Sequence, residues 1–346
     1  MPNWWEKLPN TLIVAEIGVN HNGDVELAKK MIASAKACGA DAVKFQTYIT
    51  EENTSRRAPK AAYQQKNAPA GEETLYDMIK KFELTLADHL ELKKTAQECG
   101  IIFFSRASSP GALRMLVEVG IPFIKVGSTD LTYHSLLADM ARTGLPILLS
   151  TGASSLGEVE EALEVIRAAG DPDVLLYHCT SNYPTAMPDV NLRAMLTLRE
   201  AFKLPVGYSD HTLGYEVACA AVALGARTIE KHFTLDRNLP GPDHTSSLEP
   251  VEFKRMVEAV RNVEAALGDG VKRPVRNEVE IQEKMRRSVV VVREYPAGTV
   301  LTRDMLAIKR PGLGLAPKEI DRIVGMKLLQ DVEADEPLNW KMLGWT

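Results

Sequence analysis

The chain has 346 residues, 45% of them hydrophobic and 25% charged, and a formal net charge of −5. That length suits one large domain and a smaller one, since single cores stop growing at roughly 250–300 residues, and the composition is that of an ordinary soluble globular protein. The acidic balance and the lack of basic runs argue against nucleic acid, no apolar run is long enough to span a membrane, and the start MPNWWEKLPN lacks the pattern of a signal peptide.

In chain order, strand candidates are Leu12–Ile17, Ala42–Gln46, Ile101–Ser105, Phe123–Gly127, Pro146–Ser150, Val174–Cys179, Val206–Tyr208 and Thr228–His232. Helical periodicity fills the gaps, over Val25–Cys38, Leu86–Cys99, Ala112–Val119, Tyr133–Arg142, Leu156–Ala169, Leu192–Phe202 and Leu213–Leu224. Several helices stop at Gly before the next strand, as in CGAD, ECGI, EVGIP and RTGLP. Eight such units predict a (β/α)8 TIM barrel, and no G-x-G-x-x-G follows the first strand to favour a doubly wound sheet. Cys38, Cys99, Cys179 and Cys219 are scattered without paired spacing, which points to reduced thiols and a cytoplasmic protein.

Two departures from this regularity stand out. The connection from Gln46 to Leu86, containing RRAPKAAYQQKNAPAGEE, is too long for a plain crossover; it reads as a functional loop or lid, or as a surface insertion. The barrel is expected over residues 1–272, followed by a charged linker over 273–286 that ends in a short helical stretch. A small domain with a Val and Leu core, over 287–346, reads as a packing or interface module.

Barrel enzymes build their sites at strand ends, and the polar residues gather there. Strand one delivers Glu16, Asn20, His21 and Asn22, strand two Lys44 and Gln46, strand four Lys125, Ser128 and Asp130, and strand seven Ser209. His211 and His232 close neighbouring strands and are able to share a transition metal, or each only hydrogen-bonds in a polar mouth. Lysines within apolar strands are costly unless they meet anions. Lys44 and Lys125, with Ser128, Ser209 and the hydroxyls of STGAS and HCTSNYPT, resemble a phosphate or carboxylate cradle; alternatively the lysines pair with Glu16 or Glu230 to fix the barrel.

AEIGVNHNGD, VKFQTY, KVGS, LLSTG, HCTSNYPT, GYSDHTLG, EKHFT and PGPDH, in this order, resemble the sialic acid synthase family, the N-acetylneuraminate and related nonulosonate synthases. The tail, with IKRPGLG, resembles that family's C-terminal antifreeze-like (SAF, β-clip) domain. The resemblance covers almost the whole chain. It implies a barrel that condenses phosphoenolpyruvate with an N-acetylated amino sugar to give a nine-carbon 2-keto-3-deoxy acid. It also implies a divalent metal, Mn2+ or Mg2+, and a homodimer in which one SAF domain closes the partner's barrel.

Residue by residue, the resemblance makes His211 and His232 metal ligands, and Lys44, Lys125, Ser128 and Ser209 phosphoenolpyruvate contacts, with Ser181 where members often have Asn. Glu16 and Gln46 fall in the reacting pocket, Tyr183 and Asp243 on the sugar side, and Arg310 reaches the sugar across the dimer. Glu16 or Asp130 is the candidate for proton transfer. Arg106 replaces a small hydroxyl residue beside the phosphate pocket, where it either contacts phosphate or points away. Asp130 replaces the Glu of N-acetylneuraminate-forming members, which opens the way to legionaminic- or pseudaminic-type acceptors. The rivals are a 3-deoxy-aldulosonate phosphate synthase, which has no use for Arg310, and a sugar- or ice-binding module on an inactive barrel.

Overall fold

Apolar runs that alternate with amphipathic helices have one economical arrangement, in which parallel strands are buried on both faces and helices cover the outside. The computed structural model describes residues 4–8, 10–60 and 74–345, which fall into two compact units, 1–268 and 269–346. In the first, β1 (Leu12–Gly18), β2 (Ala42–Thr47), β3 (Ile102–Ala107), β4 (Ile124–Val126), β5 (Ile147–Ser150), β6 (Val174–His178), β7 (Val206–Asp210) and β8 (Thr228–His232) pair in parallel, in chain order. The ring closes where Glu16 of β1 stands opposite His232 of β8 and accepts the Phe233 N–H at 2.8 Å.

Nearly every connection contains a helix. Among the described residues these are α1 (Val25–Ala37), α2 (Thr50–Asn53), α3 (Leu75–Lys80), α4 (Leu86–Cys99), α5 (Pro110–Val119), α6 (His134–Arg142), α7 (Leu156–Ala169), α8 (Ala194–Phe202), α9 (Glu216–Ala223) and α10 (Pro250–Leu267). Thr85 and Ser155 cap α4 and α7 in reciprocal boxes with Asp88 and Glu158. Gly100 and Gly120 end α4 and α5 at φ of 66° and 75°, the stop that the sequence signals. The closed sheet and its helices share one core, in which Phe123 packs between Phe104 of β3 and Trp5.

The long connection after β2 contains α2 and α3, which the sequence pattern does not show, and residues 61–73 of it lie outside the described residues. The second unit begins with α11 (Glu278–Met285), inside the stretch read as linker. Two antiparallel pairs follow, β9 (Ser288–Val291) with β10 (Leu306–Lys309) and β11 (Lys327–Leu328) with β12 (Leu343–Gly344); α12 (Ile320–Ile323) lies between β10 and β11. Val289, Leu301, Ile323, Leu328 and Leu338 form its own small core. All four cysteines are free, and no helix among the described residues is long and apolar enough to cross a membrane.

Candidate active site

The C-terminal ends of the barrel strands and the loops beyond them enclose a cavity of about 450 Å³, a size typical of small-molecule sites. The period-two alternation of strands selects what reaches it. On β8, Glu230 and His232 line the cavity, while Lys231 between them turns away and is buried against Asp210 of β7 at 2.9 Å. On β7, Ser209 lines the cavity and Asp210 does not.

Four buried charges form the floor. Lys44 sits between Glu16 Oε1 at 3.1 Å and Glu230 Oε1 at 3.0 Å, and Lys125 lies 4.0 Å from Glu230 Oε2 while donating to Ser150. Burial works against the charge of Glu230, yet two ammonium groups overcome it and hold the carboxyl down at about 2. Glu16 shares only Lys44 and faces the charge of Glu230, so burial prevails and pushes it up to about 7. Burial, with repulsion from Lys44, lowers Lys125 to about 8. Gln46 donates to Glu16 Oε1 at 3.0 Å and fixes the carboxyl's direction.

His211 and His232 stand beside this floor, with ring centroids 5.6 Å apart. Tyr183 stacks on the His211 ring at 4.0 Å and meets the His232 ring edge-on at 5.5 Å. Burial keeps both imidazoles neutral, with His211 lowered to about 4 and His232 well below its ordinary value. His211 Nδ1 donates to the Thr180 carbonyl at 2.7 Å, which leaves Nε2 as an acceptor with Ser209 Oγ at 3.4 Å; His232 Nδ1 is buried with no hydrogen-bond partner. Two neutral imidazole nitrogens, one of them orphaned, fit a divalent cation with the protein supplying two ligands. Among the described residues no group of three or more His, Cys, Asp or Glu side chains is arranged to hold a metal. Asp243 lines the same side, 4.0 Å from His232 Nδ1, and burial raises its carboxyl to about 6.

Hydroxyls also line the cavity. Ser128 Oγ accepts from the Gly152 N–H at 3.0 Å and lies 3.2 Å from Cys179 Sγ, with Ser150 and Ser181 also facing the cavity. A Cβ on Gly152 would fall 2.5 Å from Ser181 Oγ, 2.7 Å from Ser128 Oγ and 2.9 Å from Cys179 Sγ. Gly152→Ala must therefore push the serine hydroxyls aside. It is expected to lower turnover by about 10²-fold, the cost of displacing a positioning group by roughly 1 Å, with an unchanged thermal midpoint as the control.

Eleven of the expected site residues line this cavity: Glu16, Lys44, Gln46, Lys125, Ser128, Ser181, Tyr183, Ser209, His211, His232 and Asp243. Two do not. Asp130 turns its carboxylate onto Arg106, which donates from Nε at 2.8 Å and reaches Thr129 Oγ1 at 2.9 Å, so that Arg106 lines the cavity and Asp130 stands behind it. Arg310 is exposed at the end of β10 in the second unit. Glu230 is the residue that strand alternation does identify but that the sequence offers only as a lysine partner. Cys179 follows β6 with nothing in its spacing to mark it.

Asn20 and His21 are fully buried and do not line the cavity. Asn20 ties the loop after β1 to Phe233 O and Ser247 Oγ, both at 2.9 Å. His21 Nδ1 accepts from the Gly23 N–H at 3.0 Å, and burial, reinforced by His89, lowers the ring to about 4 from 6.5. Between those values the unfolded chain binds a proton that the folded protein excludes. Stability is therefore fully present above pH 6.5 and falls as the pH drops to 4, by about 3 kcal/mol for this group. His21→Asn keeps an acceptor near Nδ1 and removes the titration. Urea midpoints at pH 4.5 and 7 should differ less in the variant than in the parent.

A model of the NeuB family matches residues 31–272, and a model of the SAF domain matches residues 286–344. The chain is 44% identical to N,N'-diacetyllegionaminic acid synthase of Legionella pneumophila, over 95% of this chain and 93% of that protein. It is 38% identical to N-acetylneuraminate-9-phosphate synthase of Homo sapiens, over 94% and 90%. Among solved structures it is similar to the N-acetylneuraminic acid (sialic acid) synthetase of Leptospira borgpetersenii, with 35% identity, a TM-score of 0.69, and coverage of 79% of this chain and 90% of that one.

Proposed function

The chain belongs to the NeuB family, and we propose that it joins phosphoenolpyruvate and water to the open aldehyde form of an N-acetylated amino sugar, releasing phosphate and a nine-carbon 2-keto-3-deoxy acid. The observation that carries this reading is the cluster of Glu16, Lys44, Glu230 and Lys125 beside two neutral imidazoles in a single cavity. The acceptor is N-acetylmannosamine or a related diacetamido hexose, and similarity to a legionaminic acid synthase at 44% identity favours the latter.

Lys44 and Lys125 offset the carboxylate and phosphate charges of phosphoenolpyruvate, and Ser128, Ser181 and Ser209 donate hydroxyls to the same oxygens. The C2–C3 π pair of phosphoenolpyruvate bonds C3 to the aldehyde carbon, whose oxygen takes up a proton to become a hydroxyl; water adds at C2, and the C2–O bond breaks with its pair on phosphate as the added hydroxyl gives up its proton and becomes the 2-keto group. Glu16, with both protonation states populated near neutrality, takes the proton of the attacking water. Gln46 keeps that carboxyl aimed, and Asp130 acts by holding Arg106 at the cavity edge. Tyr183 and Asp243 face the sugar. His211 and His232 would hold a divalent cation, Mn2+ or Mg2+, which when bound supplies Lewis acidity at the aldehyde oxygen.

The test is phosphate release from phosphoenolpyruvate with manganese, against N-acetylmannosamine, its 6-deoxy diacetamido relatives, mannose and arabinose 5-phosphate. Release with an N-acetylated hexose, stopped by chelation and absent in His211→Ala, is the expected result. Release with arabinose 5-phosphate alone would leave a phosphoenolpyruvate synthase with a different acceptor.

The working assembly belongs to the same proposal: a cytoplasmic homodimer in which the SAF unit of one subunit brings Arg310 to the partner's barrel. Exposure of Arg310 and the free cysteines support it. Arg310→Ala and His211→Ala subunits, each impaired alone, should complement when mixed and re-formed. A mixed dimer then places both defects in one site and leaves the other intact, so about a quarter of all sites recover.

A further inference from the structure

We propose that α3 and the turn after it select the acceptor: Leu75, Ile79 and Phe82 form an apolar seat for an uncharged methyl-bearing substituent of the sugar and reject an acceptor carrying phosphate at that place. The inference rests on the synthase reading and deepens it. Leu75, Met78, Ile79 and Phe82 fall at i, i+3, i+4 and i+7 and all line the cavity. Apolar residues at that spacing ordinarily bury against a core, yet none of these four belongs to the barrel's hydrophobic core. Leu75, Ile79 and Phe82 are only half-buried and line the cavity.

Val19 and Tyr48 extend the wall and also stand outside that core. The Tyr48 hydroxyl is engaged in donating to Ile79 O at 2.9 Å. Among the described residues, Asn53 and Thr54 of the same connection also line the cavity, and both are uncharged.

Among the described residues, the cations that line the cavity stand away from α3. Lys44 and Lys125 serve the carboxylates of the floor, and Arg106 serves Asp130. Lys80 of α3 turns outward to Glu51 and Glu83, and the Arg56 guanidinium lies over the Tyr76 ring at 4.5 Å. Among the described residues no cation lines the cavity on α3. A phosphate dianion against this wall loses water and gains no counter-charge, whereas an acetamido or deoxy methyl group gains burial.

The test uses the full-length protein with manganese, phosphoenolpyruvate and three acceptors: N-acetylmannosamine, its 6-phosphate, and a 2,4-diacetamido-2,4,6-trideoxy hexose of the same configuration. The parent should use the 6-phosphate at least about 100-fold less well than the best neutral acceptor. Phe82→Ala should raise KM for the preferred neutral acceptor about tenfold while leaving KM for phosphoenolpyruvate unchanged, and Phe82→Leu serves if that variant does not fold. Ile79→Lys should move the preference toward the 6-phosphate by about tenfold. Equal use of the phosphorylated and neutral sugars by the parent, or variants that depress all acceptors alike, would overturn the assignment and leave the synthase reading standing. Phosphate release with none of the three would remove that reading and the assignment with it.

Discussion

Lys44→Met is expected to lose about 3–5 kcal/mol of folding stability, the usual consequence of removing one partner from a buried ion pair, and about 10³-fold in turnover, as when a preorganised charge donor is removed. The cause of the first loss is that Lys44 stands 3.1 Å from Glu16 and 3.0 Å from Glu230, so its removal leaves two carboxyl groups facing each other in a buried site. Lys125, 4.0 Å from Glu230 only, does not replace it at Glu16. Urea unfolding measures the stability loss and phosphate release the rate. The double variant Lys44→Met, Glu16→Gln separates the two roles. With one carboxyl made neutral, the repulsion is relieved and part of the stability should return, whereas activity should not. Stability losses that simply add would show that Lys44 and Glu16 are not energetically coupled.

Glu16→Gln should lower turnover by about 10²- to 10⁴-fold, the range for loss of a positioned proton-transfer group, while KM for phosphoenolpyruvate changes little. The pH profile identifies the group. Burial raises Glu16 to about 7, so as a base it becomes active as the pH rises through that value, and this limb should vanish in the variant. The alkaline limb should persist, because Lys125 loses its proton near 8 and with it the attraction for the reactant's anions. Stability moves the other way. A carboxyl whose folded value lies above its ordinary 4.5 contributes stability that is fully present below 4.5 and lost as the pH climbs through about 7. At pH 8 Glu16→Gln should therefore unfold at a higher urea concentration than the parent, so an activating ionisation comes at the expense of the fold.

The barrel was legible because its strands are short apolar runs with glycine stops, a local signal. What stayed hidden depends on relations between distant residues. Arg106 sits within β3, where a charge breaks the apolar pattern, and it is tolerated because Asp130, after the next strand, accepts from its guanidinium. From spacing alone Asp130 is a carboxylate at a strand end and reads as a proton donor; its direction is fixed only when Arg106 is present. Asp210 and Lys231 likewise stand in the same clusters as Ser209, His211, Glu230 and His232, yet they point away and bond each other. Strand alternation separates these groups once strand limits are known, and the sequence placed the end of β7 two residues short of Asp210. The six-residue α3 carries too few turns to give a period inside a polar connection, so the apolar side of the cavity had no signal comparable to the lysines and histidines on the other side.

The closure of β1 on β8 bears on how the enzyme comes into being. Glu16 and Lys44 leave the ribosome early, whereas Glu230 and His232 arrive with the last strand, and Glu16 meets His232 only across the final seam. A nascent chain that stops before that strand holds the early half of its charge cluster without the carboxylate that joins Lys44 to Lys125, and one of its two imidazoles is still unmade. Activity therefore cannot precede the eighth barrel strand. A barrel truncated before β8 should show none of it, and two fragments cut in a helix between β1 and β8 should be silent apart and active only when they reassemble the ring.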